Sequence, residues 1–257
     1  MKLQLLPSTF DEHGRASQKQ HYSCFVVDDA VAIDAGSLAV STTAEQKRSI
    51  RDVLLTHAHL DHVAGLPLYV DDLFATVRRP IQVHATKEVI EVLERDIFNW
   101  SIYPRFSELT NDFGAVLEYR PFEIEREFRV QHLRVKAVGV NHKVPSVGFV
   151  FSDGETSLAL SGDTSEMDRF WQVVNETENL SAILVECAFP DELASLAGNS
   201  HHLTPNLLQR ELVKLRRRCP IYVVNIKPMY CEQVVRQLDR LEIENLNVLE
   251  IGKVYEW

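Results

Sequence analysis

The chain is 257 residues long, 45% hydrophobic and 25% charged, with a formal net charge of −10. That length suits one large domain or two small ones, with enough apolar material for a sizeable core. The acidic balance disfavours broad, sequence-independent nucleic-acid binding, which needs a basic surface, and no apolar run reaches the ~18 residues of a membrane-spanning helix.

The opening stretch "MKLQLLPSTFDEHG" has too short an apolar run for a secretory leader, and acidic residues follow closely. The expected compartment is therefore the cytoplasm. "YSCFVVDDAVAIDAG" predicts a hairpin, with two apolar runs flanking Asp28-Asp29 and Gly36 closing it. "DVLLT" (52–56) and "PIQVHA" (80–85) read as short buried strands. "AGLPLYVDDLFATV" between them can be helical, and "KEVIEVLERDIF" (87–98) has helical spacing at Val89, Val92, Leu93 and Ile97.

The middle of the chain is strand-rich. "FRVQHLRVKAVGV" precedes "SVGFVFSDGETSLALSGD", a hairpin turning at Asp153-Gly154. Strands and helices then alternate: a helix near 166–176, strand "AILVEC", a helix over 205–217, strand "IYVVNI", a helix over 231–241 and strand "NVLEIG". Thr204 followed by Pro205 predicts an N-cap with proline at the first helical position. With no repeat or linker, the simplest organisation is one domain over 1–257. Hairpins combined with β/α alternation imply a layered α/β protein, a sandwich with helices outside.

Cys24, Cys187, Cys219 and Cys231 form no CxxC pair and read as idle or buried thiols. The basic run "KLRRR" (214–218) falls where a helix should end, and it reads as a solvated last turn complementing the helix dipole.

The chemistry concentrates in "LLTHAHLDHVAGL" (54–66), which places His57, His59, Asp61 and His62 directly after a buried-looking strand. On an extended segment, His57 and His59 share one side. Imidazole and carboxylate are both good ligands for Zn²⁺. Four donors packed so tightly suit two metals, one pair each, better than one tetrahedron. His142 and Asp163 each follow an apolar run and stand at strand ends. His13, His21, His84 and His132 match no motif.

"THAHLDHVAGL" resembles the HxHxDH signature of the metallo-β-lactamase superfamily, a four-layer αββα sandwich. Leu60 and Gly65 make it similar to the class II cyclic-nucleotide phosphodiesterases. "AIDAG" (32–36), "FNWSIYPRFSEL" (98–109), "SGDTS" (161–165), "ECAFPDELA" (186–194), "HLTPNLLQREL" (202–212) and "IKP" (226–228) are similar to that branch too, in the expected order. The resemblance implies that Asp34 braces the metal loop. It also implies that His57, His59 and His142 hold one divalent ion, Asp61 and His62 the other, and that Asp163 bridges them. Zn²⁺ is the expected metal, with Mn²⁺ or Fe²⁺ as alternatives. Asp61 is also assigned a catalytic part.

The branch normally supplies a last histidine just before "IKP". Here Asn225 stands in that place, and an amide oxygen is a poorer zinc donor than imidazole. Asn225 is therefore expected to contact a weakened second metal or the substrate. His201 is an extra that could replace the missing ligand or face solvent.

The implied activity is hydrolysis of 3′,5′-cyclic nucleotides to 5′-nucleotides by a metal-bridging hydroxide, with His202 as the general acid. Phe98, Trp100, Tyr103 and Phe106 are candidates to stack on the base or, alternatively, to pack the core. The expected partner is a small cyclic nucleotide, with no membrane and no nucleic acid; a homodimer is compatible. The alternatives are a tRNA 3′-end endonuclease, another hydrolase of the same fold, or a non-catalytic metal-dependent sensor. Val185 stands where the endonucleases carry a histidine before their Glu-Ala-Thr-like stretch.

Overall fold

The computed structural model describes residues 1–257. The chain forms two compact units, one of residues 1–17, 21–123 and 251–256, the other of 18–20, 124–250 and 257. Each unit carries a seven-stranded mixed sheet.

In the first unit the strand order is Val254–Glu256, Lys2–Leu5, Phe25–Val27, Val31–Ile33, Asp52–Leu54, Ile81–Ala85 and Leu117–Pro121. The first three pairings are antiparallel and the last three parallel. The predicted hairpin forms with Phe25 opposite Ile33. Its turn residues Asp28 and Asp29 are both left-handed, at φ 50 and 55°. Two such residues in succession give the turn whose twist matches that of the flanking strands. The three strands Phe25–Val27, Val31–Ile33 and Asp52–Leu54 are buried at every residue; the first two are unbroken apolar runs, and the third is apolar after Asp52.

Local chemistry trims the predicted helices. The segment after the histidine motif is helical over Leu60–Val63 and Gly65–Leu73, stopping short of residue 77. The 87–98 segment is α-helical over Lys87–Val92, capped by Thr86, and then widens into a π-helical turn over Leu93–Ile97. Strands Lys2–Leu5, Leu117–Pro121 and Val254–Glu256 were not expected from the sequence.

In the second unit the order is Leu246–Val248, Ile221–Val224, Leu180–Glu186, Ser157–Leu160, Val147–Ser152, Leu133–Gly139 and Glu127–Val130. The first three pairings are parallel and the last three antiparallel. The helix Asp168–Glu176 buries Phe170, Trp171, Val173 and Val174 on one stripe. The helix Pro205–Leu212 starts at the predicted Thr204 cap but ends at Leu212 rather than at 217. Four cations crowd the five residues from Lys214 to Arg218, and mutual repulsion opposes a continuing turn. Lys214 instead turns inward, with Nζ 2.6 Å from Glu211 and 2.7 Å from Asp168.

Parallel sheets present their functional residues at the C-terminal strand ends. Asp34 follows Val31–Ile33, and Thr56 and His57 follow Asp52–Leu54. In the second unit Asp163 follows Ser157–Leu160, Glu186 ends its strand, and Asn225 follows Ile221–Val224.

Candidate metal centre

In the first unit the histidine loop is organised by one carboxylate. Asp34 is buried and left-handed, at φ 59°. Its carboxylate accepts from the Thr56 backbone N–H at 2.9 Å, from the Thr56 hydroxyl at 2.9 and 3.0 Å, and from His62 Nδ1 at 2.6 Å. A carboxylate can only accept, so His62 carries its proton on Nδ1 and Nε2 is the lone-pair nitrogen. This is the usual means of aiming a metal-binding imidazole. The Thr56 hydroxyl spends its proton on Asp34, so it accepts from His57 Nδ1, 3.0 Å away. His57 is thereby set in the same tautomer.

The three rings draw together, with His57 centroids 4.7 Å from His59 and 4.1 Å from His62. His57 and His62 are buried, while His59 and Asp61 are half-buried at the start of the Leu60–Val63 helix. The backbone around them is closely packed. Ser23 N–H donates to the Asp61 carbonyl at 2.8 Å, and Gly36 N–H to the Ser23 carbonyl at 2.8 Å. A Cβ on Gly36 would collide with the Asp61 carbonyl oxygen. The glycine of "AIDAG" therefore serves this close approach as well as closing the hairpin.

In the second unit His142, Asp163 and His202 place their ligand atoms within 4.8 Å of one another. His142 Nδ1 donates to the His201 backbone carbonyl at 3.0 Å, again making Nε2 the lone-pair nitrogen. His202 is buried, with Nδ1 2.7 Å from Glu186 Oε1. Glu186 is fully buried and also accepts backbone N–H bonds from Thr164 at 2.8 Å, Ala188 at 3.0 Å and Leu203 at 3.3 Å. Burial pushes the Glu186 carboxyl up, against the pull of the His202 charge and hydrogen bond. Burial alone would lower His202; the Glu186 carboxylate, joined by Asp163, more than reverses this and holds it above the ordinary histidine range.

Asn225 stands in the left-handed region at φ 56°. Its Nδ2 donates to Asp163 Oδ1 at 2.7 Å, and its buried Oδ1 has no hydrogen-bond partner. His201 is half-buried, and its side chain is held by a neighbouring loop. Its Nδ1 donates to Asn141 Oδ1 at 2.9 Å, while its carbonyl takes the His142 proton.

The aromatic expectation needs correction for two of its four residues. Phe98 and Phe106 are core side chains, buried and packed edge to face with centroids 5.9 Å apart, so their rings are not available to stack on a ligand. Trp100 is 57% exposed and left-handed, at φ 66°. Tyr103 is half-buried, and its hydroxyl donates to Asp71 at 3.2 Å. His84, which matched no motif, is a buried structural residue paired to Asp52 at 2.8 Å.

Glu186 is the functional residue that the sequence reading missed. The signals were its place at the head of "ECAFPDELA" and its position at the end of an apolar strand, where carboxylates in α/β proteins tend to serve a site. Thr56 escaped for a similar reason, since nothing about one threonine in a strand end marks it as an imidazole acceptor.

The donor set suits a divalent metal. Three imidazoles are fixed with the lone pair on Nε2, and carboxylates accompany them in both units, an N/O set that borderline metals favour. Imidazole and carboxylate donors at the ends of parallel strands define a metal-binding α/β hydrolase architecture. The chain belongs to the beta-lactamase superfamily, whose domain model matches residues 30–224. It is 28% identical over 235 residues to a probable 3′,5′-cyclic-nucleotide phosphodiesterase of Yersinia pestis, covering 80% of this chain and 65% of that protein. It is 30% identical over 133 residues to nuclear ribonuclease Z of Triticum aestivum, covering 51% of this chain and 68% of that one. Among solved structures, unliganded yeast PDE1 matches with a TM-score of 0.77 at 16% identity over 98% of both chains. The fold is thus of the α/β class expected, with two mixed sheets and flanking helices, as in the metallo-β-lactamase fold neighbours. Family and side-chain clusters together imply divalent-metal binding. No helix is long and apolar enough to cross a membrane.

Proposed function

We propose that residues 1–257 act as one metallo-hydrolase domain that cleaves 3′,5′-cyclic nucleotides, cAMP or cGMP, to 5′-nucleotides. The observation that carries this reading is the Glu186–His202 pair at 2.7 Å, with His202 in one cluster with His142 and Asp163. A histidine fixed with Nδ1 on a carboxylate and raised above its ordinary range is suited to deliver a proton from Nε2. The phosphodiesterase relative is matched along 80% of this chain and the ribonuclease along 51%, which favours the small cyclic substrate.

The proposed ligands are His57, His59 and His142 for one ion and Asp61 and His62 for the other, with Asp163 shared. Asn225 contacts the second ion or the substrate. Two ions, Zn²⁺ for preference, would supply a water activated at neutral pH and neutralise phosphoryl charge. The chain's own residues then do the rest. Asp34 and Thr56 hold His62 and His57 in their tautomers. Asp61 supplies a carboxylate beside them. His202 protonates the departing 3′-oxygen while Glu186 stabilises its charged form. Trp100, the exposed ring of its segment, is a surface on which a purine can stack. The free thiols of all four cysteines accord with a reducing, cytoplasmic setting.

The second reading is a tRNA 3′-end endonuclease, favoured by the match to ribonuclease Z and opposed by the net charge of −10. Protein reconstituted with Zn²⁺, Mn²⁺ or Fe²⁺ is to be assayed on cAMP, cGMP, bis(p-nitrophenyl) phosphate and a precursor tRNA. Turnover of a cyclic nucleotide supports the proposal. Turnover of the tRNA or the generic diester alone overturns it.

A further inference from the structure

We propose that Asn141 and His201 are positioning residues that lock together the three loops carrying His142, Asp163 and His202. Asn141 is half of no expected ligand pair, yet every polar position it has is engaged. Its backbone N–H donates to Thr164 Oγ1 at 3.1 Å, and its carbonyl accepts from Ser165 N–H at 2.7 Å. Its side-chain Nδ2 donates to the Glu166 carbonyl at 3.2 Å, and Oδ1 accepts from His201 Nδ1 at 2.9 Å. Thr164, Ser165 and Glu166 directly follow Asp163, His201 directly precedes His202, and Asn141 directly precedes His142. One residue, through its backbone and side chain together, therefore joins the three segments beside their functional residues.

His201 completes the lock through its backbone. It caps the Ala194–Ser200 helix in the left-handed conformation, at φ 57 and ψ 59°. A non-glycine residue holds that conformation at a cost and needs external support. Asn141 supplies it from the side-chain end. The result is a His201 carbonyl aimed at His142 Nδ1, 3.0 Å away. That carbonyl can only accept, so it fixes the His142 tautomer with Nε2 as the lone-pair nitrogen. Outer partners of this kind commonly change metal affinity by ~10–100-fold when lost.

The inference rests on the proposed role of His142 as a metal ligand, and its test separates the two. The variants are Asn141→Ala, which is exposed and leaves the core untouched, and His201→Gly, which suits the left-handed backbone but has no side chain. His201→Asn, an αL-tolerant residue with an amide donor, is the conservative comparison. Imidazole nitrogen shifts of ¹⁵N-histidine protein report the His142 tautomer without metal, and competition with a chromophoric chelator reports Zn²⁺ affinity. Asn141→Ala and His201→Gly should each give a mixed His142 tautomer and roughly tenfold weaker Zn²⁺ binding, with His201→Asn between them and wild type. An unmixed tautomer and Zn²⁺ affinity within twofold of wild type in both variants overturns the lock. Unchanged Zn²⁺ affinity in His142→Ala would instead remove the ligand role, leaving the tautomer result to stand by itself.

Discussion

The Asp34 carboxylate and His62 Nδ1 lie 2.6 Å apart with both side chains buried, so the imidazole of the HxHxDH motif is oriented by a residue 28 positions earlier. Asp34→Asn isolates the charge, because asparagine also tolerates the left-handed backbone. It should weaken one metal by ~10–100-fold, the effect usual for an outer partner of a ligating histidine. Metal content after graded chelator dialysis measures this; two ions retained at wild-type affinity would remove Asp34 from the centre.

The Glu186–His202 pair makes a prediction about pH. His202 lies above its ordinary range because of Glu186, so its protonated form persists to higher pH. A reaction needing that proton loses activity as pH rises through the His202 pKa. Glu186→Gln removes the largest raising influence and leaves burial, which lowers it, opposed only by Asp163, so the alkaline limb of kcat should move to lower pH. His202→Ala should reduce kcat by ~10²–10⁴-fold with metal content unchanged. An alkaline limb that stays in place in Glu186→Gln would assign it to another group.

Gly36→Ala is predicted to act on the metal loop from outside it. The added methyl would meet the Asp61 carbonyl oxygen and press on both the Ser23 amide and carbonyl. These are backbone atoms that cannot rotate aside. The expected result is loss of metal held by Asp61 and His62, together with a lower Tm. Wild-type metal stoichiometry in this variant would show that the loop can move.

Phe98 and Trp100 are two residues apart and should behave oppositely. Phe98→Ala opens a cavity in the core and should cost ~3–5 kcal/mol, read by denaturant unfolding. Trp100→Ala should leave stability nearly unchanged and raise KM for a cyclic nucleotide if the exposed ring stacks on the base. An unaltered KM would take Trp100 out of the binding surface.

Asn225→His tests the departure at the position before "IKP". Imidazole is the better zinc donor, so the second ion should bind more tightly, with a larger population of two-metal protein in native mass spectra. Unchanged stoichiometry across a Zn²⁺ titration would mean that Asn225 serves Asp163, to which it already donates at 2.7 Å, rather than a metal.

Much of this was legible in the sequence where chemistry is local. The Asp28-Asp29 hairpin, the Thr204-Pro205 helix start and the run from His57 to His62 each declare themselves within a few residues. Helix ends were less legible, because the stop at Leu212 depends on how the cations after it are satisfied, and Lys214 finds Asp168 far back in the chain. The aromatic segment misled for a related reason. Its spacing could not say which rings turn inward, and Phe98 and Phe106 do while Trp100 does not. Thr56 and Glu186 open the recognised stretches "THAHLDHVAGL" and "ECAFPDELA", but their parts, like that of Asn141, depend on partners distant in sequence, Asp34, His202 and His201, which no motif spells out.

Asp34, His201 and Asn225 share a left-handed backbone at φ 56–59°, the conformation in which side chains are least welcome. Glycine would relieve the backbone at each position, but at Asp34 it would also strand the buried Thr56 and His62 donors, at a cost greater than the relief. The same substitutions would erase the Asp34 carboxylate, the His201 clasp and the Asn225 amide together. Directed evolution for robustness is thus expected to reach His201 before Asp34, loosening the clasp on His142 while the Asp34 contacts persist, unless turnover is screened in every round.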